Sequence, residues 1–313
     1  MATIVVHESV PSPMEDAEAV MNAVKGWGTN EKALFEVLAH RNAAQRQAIR
    51  HAYEEHYHED LIKRLESELP GHLEKAMYRW MLEPLDCDAV LANVALKRHS
   101  PDYPVIVELA CVKDPEEFLA VKRAYQWRYK HSLEEDVASH STGDLRKLLF
   151  AIASTFKYNG YEIDAHLAKA ESHILHELIE NKAYNDDEFI RIFATRSNAQ
   201  LNATFNIFKD DYGISIAKSL LEEPATEYLS ALRTVVHCIT DPIKYFVKVL
   251  RDAIHQHGTD EDTLTRIIVT HAERDLRLIK EKYYERDNIT LETAVVRETS
   301  GDYETFLLAL LGN

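Results

Sequence analysis

Cysteine is scarce in this chain of 313 residues. Three thiols, Cys87, Cys111 and Cys238, are too few for a disulfide framework, and no C-x-x-C spacing offers a zinc site. Glycine and proline are also few, nine of each, which favours long regular elements over loops. No apolar run reaches about eighteen residues, so nothing is expected to span a bilayer. The opening stretch holds Ile4-Val5-Val6 but neither a basic leader nor a long apolar core. It does not read as a secretory signal, and a cytoplasmic address is the expectation. Sustained period-two alternation is missing, which predicts essentially no strand. Also missing are an H-E-x-x-H pair, a phosphate-binding G-x-x-x-x-G-K-[ST] loop and paired catalytic acids at a recognisable spacing, so the chain is not expected to be an enzyme. Positive charge is in deficit: 36 Lys and Arg stand against 52 Asp and Glu, a formal net charge of −16. Such a surface repels nucleic-acid phosphates, so no nucleic-acid partner is expected. It also repels an anionic membrane, so any membrane role must bring its own cations.

What is present is an internal repeat. Arg41, Lys113, Arg196 and His271 serve as anchors, spaced by 72, 83 and 75 residues. Seven residues before them stand Leu34, Ile106, Phe189 and Leu264; twelve after stand Tyr53, Tyr125, Phe208 and Tyr283. Leu61, Leu133, Ile216 and Leu291 follow at twenty, Leu65, Val137, Leu220 and Val295 at twenty-four, and Met77, Leu149, Leu232 and Leu307 at thirty-six. Within a repeat the apolar positions step by three and four, the stripe of amphipathic helices. Caps such as Thr29-Asn30-Glu31 and Asp114-Pro115-Glu116 mark helix starts. The long second spacing places a connector around Thr155 to Asp164, which reads as a joint between two halves of two consecutive repeats. Each repeat alone is near the lower size limit for a stable core, so the four are expected to pack together.

One loop carries chemistry. In Lys25-Gly26-Trp27-Gly28-Thr29-Asn30-Glu31 two glycines permit positive φ and a sharp turn. That turn can aim the carbonyls of Val24, Gly26 and Gly28 at one point. Calcium takes six to eight oxygens, and a bidentate carboxylate with waters would complete the shell. Glu68 stands forty residues after Gly28. The fourth repeat has His255-Gln256-His257-Gly258-Thr259-Asp260-Glu261, with Glu298 again forty residues after Gly258. The carbonyls of Ile254, Gln256 and Gly258 are the matching set there.

On these motifs the chain resembles the annexins, most of all their plant branch, from about Pro13 to Gly312. Gly26, Gly28, Thr29, Glu31 and Glu68 match the family's G-x-G-T loop and distant acid in repeat 1; Gly258, Thr259, Asp260, Glu261 and Glu298 match it in repeat 4. The resemblance implies an all-α fold of four repeats of about five helices, packed as a slightly curved disc with calcium loops on its convex face. The bounds expected are 13–83, 84–154, a connector at 155–168, 169–241 and 242–313. Repeat 2 departs from the motif, with Arg98 and Ser100 for the glycines and His140 for the acid. Repeat 3 keeps Glu223 but reads Asn181-Lys182-Ala183-Tyr184 in its loop, and both sites are taken as degenerate. Gln256 replaces the first glycine of repeat 4, where positive φ would cost on the order of 1 kcal/mol or more.

The function expected is calcium-dependent binding to anionic phospholipid, peripheral and triggered as calcium rises. One carboxylate per site gives weak binding in solution, around 10⁻⁴ to 10⁻³ M, which lipid oxygens and a second site on the same face would strengthen. Trp27, between the loop glycines, suits a membrane interface, and Lys25 suits lipid phosphate. A helical scaffold for cytoskeletal partners is the alternative. For it, Ile190-Arg191-Ile192 resembles a tripeptide proposed for actin contact in plant annexins. A peroxidase or nucleotide phosphatase is the minor alternative, resting on His40 as a haem ligand and on Asp210-Asp211-Tyr212-Gly213 as a D-x-x-G fragment. Cys111 and Cys238 resemble a redox pair of plant annexins; inert buried thiols are the favoured reading. The clusters His51, His56, His58 and His173, His176 read as exposed helix histidines.

Overall fold

The computed structural model describes residues 1–7, 9–26, 28–221, 226–255 and 258–312. Twenty α-helices and no strand occur among them. They fall in four sets of five. The first set is α1 (Pro13–Val24), α2 (Glu31–Leu38), α3 (Ala43–Tyr57), α4 (Leu61–Glu68) and α5 (Gly71–Met81). The second is α6 (Pro84–Lys97), α7 (Tyr103–Val112), α8 (Pro115–Tyr129), α9 (Leu133–Ser139) and α10 (Gly143–Ser154). The third is α11 (Ala165–Glu180), α12 (Asp187–Thr195), α13 (Asn198–Tyr212), α14 (Ile216–Ser219) and α15 (Glu227–Thr240). The fourth is α16 (Pro242–His255), α17 (Glu261–His271), α18 (Leu276–Asp287), α19 (Leu291–Glu298) and α20 (Gly301–Leu311).

Local chemistry starts and stops these helices. Ser12 and Glu15 form a reciprocal capping box at α1, and Asn42 with Gln45 forms another at α3. Asn30 accepts the Ala33 N–H to open α2, and Asp260 accepts the Thr263 N–H to open α17. Every residue in the five repeated apolar columns is buried, none more than 2% exposed. The three-and-four stepping therefore marks the core-facing stripe of each helix.

The anchors have a physical reason that spacing alone did not reveal. Arg41 donates two hydrogen bonds, 2.7 and 2.8 Å long, to the carboxylate of Asp16, and both side chains are only 4% exposed. Lys113 pairs with Asp88 at 2.6 Å and Arg196 with Glu171 at 2.7 Å, each acid standing twenty-five residues before its anchor. A buried charge needs such a partner, so anchor and acid recur together. In the fourth repeat the acid position holds Phe246, whose ring lies 4.2 Å from that of His271.

The repeats pair differently from the expectation of consecutive halves. One compact unit consists of Met1–Cys87 with Ile243–Asn313, the other of Asp88–Pro242. The first set of helices thus packs with the fourth, and the second with the third. The connector lies inside the second unit and does not divide two halves. Side chains explain the first pairing. Arg79 of α5 binds Asp262 of α17, Phe35 of α2 meets Phe306 of α20 at 5.3 Å, and Arg46 of α3 reaches Glu273 at 2.8 Å. The opening residues add to it: Thr3 donates its N–H to the Ala272 carbonyl and its hydroxyl to the Leu310 carbonyl.

Candidate functional site

α1 stops at Val24 because Lys25 leaves helical space and Gly26 and Gly28 take φ of 113° and 88°. A Cβ at either glycine would meet nothing within 4 Å, so the backbone conformation and not crowding selects glycine there. The loop closes when Asn30 donates its N–H to the Ala23 carbonyl at 2.8 Å. Repeat 4 closes in the same way, Asp260 N–H to Ala253 carbonyl at 2.8 Å, with Gly258 at φ 93°.

Glu68 ends α4 beside the first loop. Its Oε2 accepts from the Thr29 hydroxyl at 3.2 Å. Its Oε1 lies 3.1 Å from Nη2 of Arg64, one helical turn earlier. The same Nη2 donates to the Val24 carbonyl at 2.7 Å. Two oxygens that spacing alone had grouped, one main-chain and one carboxylate, therefore converge on a single cationic group. Carboxylate and carbonyl oxygens already facing a positive charge are the donor chemistry that fits Ca²⁺. The seat is imperfect for arginine, whose Nε is buried without a partner. Arg64 was not foreseen. Its signal was present, since residues four apart on a helix share a face.

In repeat 4 the Thr259 hydroxyl lies 3.5 Å from Oε2 of Glu298 and 3.4 Å from its carbonyl. The position matching Arg64 is Ala294, which is buried, and Glu298 is exposed. Ile254 ends in the core, 1% exposed, as does Val24 at the matching place, so only their carbonyls are offered. Lys25 is exposed beside the first loop. Trp27, Gln256 and Glu223 lie outside the described residues.

The other two loops are built otherwise. Repeat 2 keeps the closing bond, Asp102 N–H to Ala95 carbonyl at 2.9 Å, but Arg98 turns to Asp102 and the His140 ring bonds the Asp136 carbonyl. No carboxylate stands at the acid position. In repeat 3 Ala183 donates to the Leu178 carbonyl at 2.8 Å, and the Tyr228 hydroxyl takes the Tyr184 carbonyl. Those oxygens are turned back onto the chain.

The lesser motifs are structural where they are described. Gly213 of the D-x-x-G fragment is the left-handed cap of α13, φ 72°, donating to the Lys209 carbonyl. Ile190 and Ile192 are buried, and Arg191 binds Glu188 and Glu171. Cys111 and Cys238 are not joined in a disulfide and are buried in α7 and α15, and burial pushes the Cys111 thiol up, away from thiolate. His176 stacks on Tyr212 at 3.6 Å, while His51 and His173 face glutamates one turn on. No helix is long and apolar enough to cross a membrane among the described residues.

Comparison with known proteins agrees with this repeat plan. The annexin family profile matches residues 15–80, 87–152, 170–234 and 245–310. Annexin-like protein RJ4 of Fragaria ananassa is 61% identical over 298 residues, covering 95% of each chain. The structure of annexin III superposes with a TM-score of 0.93 at 31% identity, covering 100% of this chain and 97% of that one. Calcium-bound annexin (Sm)1 superposes with a TM-score of 0.83 at 25% identity, covering 100% and 93%. Four successive matches to one profile, on a backbone of four five-helix sets, leave a single assignment: the chain belongs to the annexin family.

Proposed function

We propose that this chain binds anionic phospholipid membranes in a calcium-dependent manner, through the loops of its first and fourth repeats. The observation that carries the reading is the convergence of the Val24 carbonyl and the Glu68 carboxylate on one cationic group. A bound Ca²⁺ supplies positive charge and open coordination positions for lipid phosphate oxygens. In repeat 1 the carbonyls of Val24, Gly26 and Gly28 with Glu68 hold it; in repeat 4 those of Ile254, Gln256 and Gly258 with Glu298 do. Lys25 pairs with lipid phosphate, and Trp27 enters the interface. A net charge of −16 keeps the metal-free chain off the bilayer, so the protein is cytoplasmic at rest and peripheral on membranes when calcium rises. Co-sedimentation with phosphatidylserine-containing vesicles tests this: binding is expected in calcium and lost in excess chelator, and undiminished binding in chelator would overturn the reading.

Arg64 gives the first site a built-in competitor. Without calcium its guanidinium holds the Val24 carbonyl and Glu68 together. Glu68 turns both oxygens inward only after Arg64 withdraws. Charge-assisted hydrogen bonds are worth about 1.5–3 kcal/mol each, less for a side chain that is partly exposed. Removing the competitor at a net gain of about 1.4 kcal/mol changes an equilibrium about tenfold. Arg64→Ala is therefore expected to lower the calcium needed for half-maximal vesicle binding about tenfold. An unchanged midpoint would discard Arg64 as a competitor.

A further inference from the structure

Away from the calcium loops, one cluster has a different donor chemistry. His7, Glu36 and His40 each bring one ligand atom to within 4.8 Å of the other two. Glu36 lies in the last turn of α2 and His40 just beyond its end, four residues apart and so on one face. His7 comes from the opening segment, and its ring lies 4.9 Å from that of His40. The Nδ1 of His40 is 2.9 Å from the Val5 carbonyl. A carbonyl only accepts, so Nδ1 carries the proton and Nε2 keeps its lone pair for a metal. That outer hydrogen bond is the usual orienting device of metal-binding histidines.

We propose that His7, Glu36 and His40 form a site for a late first-row divalent ion, Zn²⁺ under ordinary supply. Two imidazoles, a carboxylate and one open position taken by water make a tetrahedral set that zinc accepts. His7 and Glu36 are exposed, so ion and water have access. Imidazole is a poor calcium ligand, so this site and the all-oxygen loops sort the two metals by donor type. The site also has a structural consequence. Met1 and Thr3 bond the fourth repeat, through Arg277, Ala272 and Leu310, while Val5 meets His40 of the first. An ion shared between His7 and the end of α2 would fasten the same segment a further time, tightening a strap between first and last repeats.

The test is a calorimetric titration of chelator-stripped, full-length protein with ZnCl₂ in millimolar calcium, which keeps the oxygen loops occupied. One tight equivalent is expected in the native protein. His7→Ala, Glu36→Gln and His40→Ala are each expected to weaken it about tenfold or more. His7 and Glu36 are exposed, so those two variants should unfold at the native temperature in the absence of zinc. Hydrogen exchange gives a second readout: zinc should slow the amides of residues 4–7 in the native protein and not in His7→Ala. Identical zinc titrations for native protein and His7→Ala, or zinc binding abolished by calcium, would overturn the proposal.

Discussion

Changing Glu68 and Glu298 together to glutamine is expected to weaken calcium-dependent vesicle binding by about a hundredfold or more. Glutamine keeps the shape and one acceptor oxygen but loses the charge and the bidentate grip, which are the only formal negative charges at each proposed site. A loss of about tenfold at each of two sites multiplies when both act on one surface. The single changes should be unequal. Glu68→Gln is expected to hurt more, because the first loop holds both Gly26 and Gly28 at positive φ, whereas the fourth has Gln256 at the first of these positions. Arg64 sharpens the difference, since a guanidinium still bonded to the Val24 carbonyl would then face a neutral neighbour. The measurement is half-maximal calcium for native protein, both singles and the double. A double variant that binds like the native protein would move the membrane contact to other loops.

Much of the fold was legible because repetition supplied a built-in comparison. Leu34, Ile106, Phe189 and Leu264 share a column and are all fully buried. Four independent helices at one column average out the accidents of any single stretch. The proximity of loop and acid was legible for the same reason: a forty-residue interval that recurs in register ties Gly28 to Glu68 and Gly258 to Glu298, and the two carboxylates lie beside the Thr29 and Thr259 hydroxyls. Three features were not read. The pairing of first repeat with fourth is encoded in cross-repeat contacts such as Arg79 with Asp262, whose separation in sequence gives no periodic signal. Arg64 resembled any surface arginine on a polar helix face, and only the fold shows that its guanidinium reaches the Val24 carbonyl. Glu36 looked like an ordinary helix residue and His40 was read only as a haem ligand, because the third member, His7, arrives from a segment without helical pattern.

Asp16→Asn is expected to destabilise the unit formed by the first and fourth repeats by about 3–5 kcal/mol. Asp16 and Arg41 are almost wholly inaccessible and joined by two parallel hydrogen bonds. An amide there leaves a guanidinium buried without its counter-charge, and salt does little to screen a pair so deep. Replacing both partners by apolar residues is a different experiment. Asp16→Leu with Arg41→Met removes two desolvated charges together and should fall within about 1–2 kcal/mol of the native protein. The fourth repeat bears on that contrast, since Phe246 stands at the acid position in ring contact with His271, whose Nδ1 meets the carboxylate of Asp275 at 2.6 Å instead. The position thus requires filled volume and matched polarity, and an ion pair is one of two solutions found within a single chain. Urea unfolding at constant slope separates the cases: a large fall in midpoint for Asp16→Asn, most of it restored in the apolar double. If Asp16→Asn lies within about 0.5 kcal/mol of native, the buried pair has no structural weight and the recurring anchor columns need another cause.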